Sequence, residues 1–308
     1  MHRRGFLAGA VSFATGVAAA AERPIPIVDT HQHLWDLARF KLPWIKVGEE
    51  PLGRSYGPAE FAEATRGLDV VQAVYMEVDV APEQRAAEAD SILDLIRSGK
   101  APTVAAVIGG RPASEEFRAY LDRYRNEPAI KGVRQVLHSG ETPPGTCLDP
   151  AFVRGIRLLG ERGLMFDLCM RSGELADAAR LIDACPATRF ILDHCGNADV
   201  RARDRSAWKR DLAAVANRGD RAVCKVSGIV ASARGAPWSA DDLAPIVDHV
   251  LDTFGPDRVM FGGDWPVCTL ATSYRRWVEA LRSIVAARPE ADRRKLFHDN
   301  AVRVYGLA

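Results

Sequence analysis

Short apolar runs rich in β-branched residues alternate with longer amphipathic stretches along most of the chain. Eight runs read as strands: "IPIVDTHQH", "DVVQAVYMEV", "TVAAVIGG", "GVRQVL", "LMFDLCM", "RFILDHCG", "RAVCKVSG" and "RVMFGGDWP". Between most of them lie helical patterns such as "APEQRAAEADSILDLIRSG", "DPAFVRGIRLLGERG" and "ELADAARLIDACP". Strands that alternate with helices imply parallel pairing and right-handed crossovers. Eight such units predict an α/β fold, a closed (β/α)8 TIM barrel in a single domain over residues 22–308, rather than an open doubly wound sheet. The length of 308 residues suits this, since such a barrel needs about 250. The longest irregular stretch, residues 37 to 57, follows the first strand and reads as a lid. No Gly-x-Gly-x-x-Gly or Walker-type loop is present, so nucleotide binding has no local support.

Residues 1–21 stand apart. "MHRRGFLAGAVSFATGVAAAA" has a basic start, a short apolar stretch softened by Gly and Ala, and a small-residue exit. That layout predicts a cleaved export signal, and Arg3-Arg4-Gly5-Phe6-Leu7 resembles the twin-arginine type. The expected location is the periplasm, with no membrane attachment after cleavage. The six cysteines are scattered without a CxxC pair. An oxidising compartment permits a disulfide, but cysteines inside apolar runs are expected as free, buried thiols.

Charge narrows the partners. Lys and Arg total 41 against 40 Asp and Glu, with no basic block, which gives no reason to invoke nucleic acid or anionic lipid. A small-molecule substrate is the expected partner; oligomeric state is not legible.

In a barrel of this kind the chemistry sits at the C-terminal strand ends. Side chains alternate along a strand, so His31 and His33 are expected to point the same way, with Asp29 one step deeper. A lone His-x-His is a weak signal. The sixth run, however, ends in "LDHCG" and the eighth in "GGDWP", which brings His194 and Asp264 to the same kind of position. Three imidazoles and a carboxylate suit one borderline-soft divalent ion, Zn2+ first among them. The competing reading for Asp264, a cap on the next helix, is outweighed by three histidines arriving from other strands. Arg134, Lys225, Glu77 and Trp35 are further candidates for contacting substrate. Against them stand rim ion pairs, a structural hydrogen bond and plain packing. Asp29 is expected to orient a histidine from behind.

The motifs "DTHQHLWD", "GVRQVL", "FILDHCG", "CKVSG", "FGGDWPV" and "NAVRVYGL" resemble those of the amidohydrolase-related metal-dependent hydrolases. The likeness is to the branch that holds sugar lactonases and the pyrone-dicarboxylate lactone hydrolase, and it covers nearly all of the chain after residue 21. It implies a TIM barrel with His31, His33, His194 and Asp264 at the reaction centre. It leaves the ion open, because some relatives in this branch hydrolyse lactones without one. No strand-end lysine matches the bridging position of binuclear relatives, since Lys225 lies on the seventh strand. The expected reaction is lactone opening, with Asp264 and His194 as the catalytic candidates: Asp264 is the general base, and the carbonyl is polarised by the ion or, without one, by His31, His33 or His194. The alternative is a metal-dependent, non-hydrolytic decarboxylation of the same family, and a barrel that only binds is a third reading.

Overall fold

The computed structural model describes residues 24–140 and 142–308; the export-signal expectation for residues 1–21 lies outside them. All eight expected runs form strands: β1 (Ile27–Gln32), β2 (Val70–Met76), β3 (Thr103–Gly109), β4 (Ile130–Val136), β5 (Met165–Cys169), β6 (Phe190–Leu192), β7 (Ala222–Val226) and β8 (Val259–Phe261). They lie side by side in chain order and pair in parallel throughout. Closure between β8 and β1 is made by the Gln32–Trp265 bridge and by His33 N donating to the Trp265 carbonyl at 2.8 Å. Thr30 Oγ1 adds a bond to the Phe261 carbonyl at 2.6 Å.

The connecting helices begin and end where local chemistry dictates. Helix Pro150–Glu161 starts on Asp149, whose carboxylate accepts from Ala151 N and Phe152 N, with proline at the first turn, a place where its missing N–H costs nothing. Phe152, Ile156 and Leu159 recur at helical spacing and form its buried stripe. Helix Arg85–Ser98 stops at Gly99, which adopts the left-handed conformation that favours glycine.

Two apolar layers result. The outer one lies between strands and helices. The inner one fills the lower barrel with Val28, Val74, Val107, Met165, Ile191, Val223 and Met260, and is floored by Val304 and Tyr305 of the closing helix. Residues two further along several of these strands are charged: Asp167 follows Met165, Asp193 follows Ile191 and Lys225 follows Val223. A buried polar layer therefore separates the apolar floor from the rim. All six cysteines are free and buried, as expected, and no helix among the described residues is long and apolar enough to cross a membrane.

The β1–β2 register shifts twice, between Ile27 and Val28 and again between Asp29 and Gln32. Between Asp29 and Gln32 three residue steps oppose only two on β2, from Ala73 to Tyr75, the signature of a bulge. His31 faces the barrel interior, whereas Asp29 turns to the helix layer and accepts from the Tyr274 hydroxyl at 3.0 Å. The expectation that Asp29 lies beneath His31 on the same face is corrected accordingly.

Candidate catalytic centre

His31 from β1, His33 just beyond it, His194 after β6 and Asp264 after β8 meet at the C-terminal rim. The His31 ring lies 4.5 Å from that of His194 and 4.9 Å from that of His33, centre to centre. Asp264 Oδ1 is 3.5 Å from His33 Nε2 and 3.7 Å from His31 Nε2. All four side chains are buried.

The backbone is forced to present two of them. His194, Cys195, Gly196 and Asn197 all have positive φ, at 55°, 54°, 66° and 51°, and Asp264 has φ 51°. For residues with a Cβ this conformation costs about 1–2 kcal/mol each. Around the His194 turn the strain is offset by bonds that would be lost in any other shape. Asn197 Nδ2 donates to the Met170 carbonyl at 2.7 Å and Trp208 Nε1 to the Cys195 carbonyl at 2.9 Å. Strain held in place this way is a mark of functional positions. Asp264 follows Gly262 and Gly263; a Cβ on Gly263 would stand 2.2 Å from the Tyr274 ring, so glycine is required for the turn to close against that helix.

Hydrogen-bond chemistry fixes what two of the imidazoles offer. His33 Nδ1 lies 2.9 Å from the Met76 carbonyl. A carbonyl only accepts, so Nδ1 carries a proton and Nε2 is the nitrogen that faces Asp264. His31 Nε2 lies 3.3 Å from Arg134 Nη1; guanidinium only donates, so this nitrogen is an acceptor too. Burial lowers the His31 pKa well below the ordinary value, with Asp193 opposing it, and burial lowers His194 as well. Burial alone would raise Asp264, but the three neighbouring imidazoles, His194 foremost, hold its carboxyl down at about 2. The centre is an ionised carboxylate among three imidazoles, and one nitrogen each of His31 and His194 lies within 4.8 Å of an Asp264 oxygen. This donor set fits one divalent cation.

The remaining candidates divide. Arg134 stays at the centre, but as a tethered cation. Its Nε donates to Glu77 Oε1 at 2.6 Å, its Nη2 to the Glu77 carbonyl at 2.8 Å, and only Nη1 is left to face His31. Glu77 is corrected from a substrate contact to the anchor of Arg134, because its second oxygen is also taken, by Asp79 N at 2.7 Å. Trp35 is corrected likewise. It is 3% exposed, donates to the Arg54 carbonyl at 2.7 Å and packs edge-on against Trp44 and Tyr56, so it braces the 37–57 segment. Lys225 does not reach the rim. It lies fully buried with Nζ 2.6 Å from Asp167 Oδ2 and 3.2 Å from Asp193 Oδ1. Burial opposes its charge, but Asp167 and Asp193 raise its pKa above that of an ordinary lysine.

Two neighbours of the centre escaped the sequence reading. Asp193 touches His31, Arg134 and Lys225 at 3.2–3.5 Å, and Ser227 Oγ lies 2.9 Å from His194 Nδ1. Both adjoin motifs already singled out, "LDHCG" and "CKVSG", and that adjacency was the only available signal.

Known proteins share this arrangement of the chain. A family model described as amidohydrolase matches residues 28–307. An L-fucono-1,5-lactonase of Burkholderia multivorans is 31% identical over 91% of this chain and 96% of its own. An L-rhamnono-gamma-lactonase of Scheffersomyces stipitis is 25% identical over 65% and 66%. Among solved structures, an amidohydrolase of Burkholderia multivorans with bound zinc superposes with a TM-score of 0.81 at 25% identity, covering 92% of this chain and all of the other.

Proposed function

Because the chain belongs to the amidohydrolase family, we propose that it opens the ring of a sugar-acid lactone by hydrolysis. One observation carries this reading: a single ionised carboxylate, Asp264, lies 3.5 Å from His33 and 3.7 Å from His31, with a nitrogen of His194 within 4.8 Å. A water bound there gives its proton to Asp264 as its oxygen attacks the lactone carbonyl carbon. The carbonyl oxygen becomes an oxyanion, stabilised by N–H donation from His194 and by the nearby Arg134 charge. Collapse breaks the bond to the ring oxygen, which takes the proton from Asp264 and leaves a hydroxy acid. A carboxylate held at about 2 is a weak base, so the geometry suits an intrinsically reactive ester rather than an amide.

His31, His33, His194 and Asp264 are the residues that would hold a Zn2+-like ion. When bound, it would polarise the carbonyl and lower the pKa of water. Elemental analysis of protein purified without chelator is expected to find close to one divalent ion per chain. The composition of residues 1–21 further supports export by a twin-arginine route to the periplasm, expected to fail in an Arg3→Lys, Arg4→Lys reporter fusion.

The deciding experiment offers the purified protein L-fucono-1,5-lactone, L-rhamnono-gamma-lactone and a set of aromatic carboxylic acids. Acid release from the sugar lactones is the expected result. Release of CO2 from the aromatic acids instead would transfer the centre to decarboxylation, and inertness toward every compound would leave a binding barrel.

A further inference from the structure

Ser227 is wholly buried just past β7, and its hydroxyl has one hydrogen-bond partner among the described residues, His194 Nδ1 at 2.9 Å. The neighbouring Gly228 has φ +66°, and a Cβ there would stand 2.1 Å from the same nitrogen. The imidazole is thus seated against the Ser227–Gly228 backbone with one edge on the hydroxyl and the other toward the centre. A serine hydroxyl can donate or accept, unlike the carbonyl on His33 or the guanidinium on His31. If Nδ1–H donated to Ser227, the serine proton would be left buried without an acceptor. If the hydroxyl donates to Nδ1, both groups are satisfied, and the ring proton belongs on Nε2.

We propose that Ser227 is a positioning residue that selects the Nε2–H tautomer of His194, so that this ring donates toward the centre. His194 then presents N–H toward the centre, matched to the oxygen on which negative charge develops during lactone opening. The catalytic consequence rests on the lactonase reading; the tautomer does not.

The test separates the two. Long-range 1H–15N correlation spectra of 15N-histidine-labelled protein report each ring's tautomer, and the His194 signals are assigned by their loss in His194→Gln. Spectra are taken on protein freed of metal by chelator. The Nε2–H pattern is expected, shifting to a mixture of tautomers in Ser227→Ala. In parallel, Ser227→Ala is expected to lower kcat on L-fucono-1,5-lactone about 10-fold with KM nearly unchanged, and Ser227→Cys, which keeps a weak donor, to recover part of it. An Nδ1–H pattern in the metal-free wild-type protein overturns the proposal, as does a Ser227→Ala protein whose tautomer or kcat is that of wild type. If the protein turns over no lactone, the spectra still decide the tautomer, and the loss falls on the functional reading alone.

Discussion

Asp29 Oδ1 accepts from the backbone N–H of Gly263 at 2.8 Å and so ties the first strand to the turn after the last. The same oxygen accepts from His31 N at 2.9 Å, and Oδ2 accepts from Tyr274. One carboxylate therefore locks together the backbone that carries His31 and the turn that carries Asp264, at the seam where the barrel closes.

Replacing Asp29 by alanine would leave three buried donors without partners. We expect a loss on the order of 4 kcal/mol, since each stranded buried group costs about 1–3 kcal/mol and such losses do not simply add. Asp29→Asn keeps an oxygen for the two backbone N–H groups and offers an amide to Tyr274, so it should cost only about 1–2 kcal/mol. Urea denaturation of both variants checks the ranking; equal losses would mean the carboxylate does not close the seam.

The strands and the four central residues were legible because their signals are local and periodic. β-branched runs separated by helical patterns mark the barrel, and His31, His33, His194 and Asp264 all stand at the ends of such runs. Depth was not legible. Lys225 is one residue from the end of β7, yet its long side chain turns down to Asp167 in the buried layer, and nothing in "CKVSG" distinguishes that from a rim position. Trp35 lies beyond the last residue of β1, where the pleat no longer governs direction, and its bridge to Tyr56 carries it into the packing. The displacement of Asp29 came from a bulge, a feature visible only once β1 is paired with β2.

Acid pH should separate activity from stability. Asp264 titrates at about 2, so it remains ionised throughout the working range. His31 and His194 have pKa values lowered by burial and stay neutral below the usual histidine value of 6.5. The kcat/KM profile is therefore expected to run flat through pH 6.5. Stability should behave differently, because the unfolded chain takes up protons on these histidines below pH 6.5 while the folded chain resists them. It should decline as pH falls through that window, and the Asp264 contribution should follow only as pH falls from about 3.8 toward 2. Asp264→Asn should fold normally and lose at least ~100-fold in rate at every pH. An acid limb in kcat/KM centred near 6.5 would show that a charged histidine blocks the reaction.

Gly228→Ala should injure the reaction more than the fold. The left-handed conformation costs alanine about 1–2 kcal/mol, but its methyl would also occupy the space of the His194 ring. The imidazole must move, and a displacement of that size near the chemistry costs roughly 100-fold. Turnover alongside a thermal melt gives both numbers. Wild-type turnover would mean that the seat of His194 does not matter.

Lys225 provides the sharpest contrast between a substrate contact and a structural ion pair. Its Nζ is held by Asp167 and Asp193 with no exposed surface on any of the three. Removing one partner of a buried pair strands the other charge and costs about 3–5 kcal/mol, so Lys225→Met should be strongly destabilised. Replacing both partners removes most of the uncompensated charge, and the Lys225→Met, Asp167→Leu double variant should regain part of that loss. KM for any lactone should shift little in whichever of these proteins remains folded, because the ammonium lies a layer below the rim, toward the ring of Tyr305. Denaturation curves and KM measured on the same preparations decide the matter. A Lys225→Met protein of normal stability with a raised KM would return this lysine to the substrate.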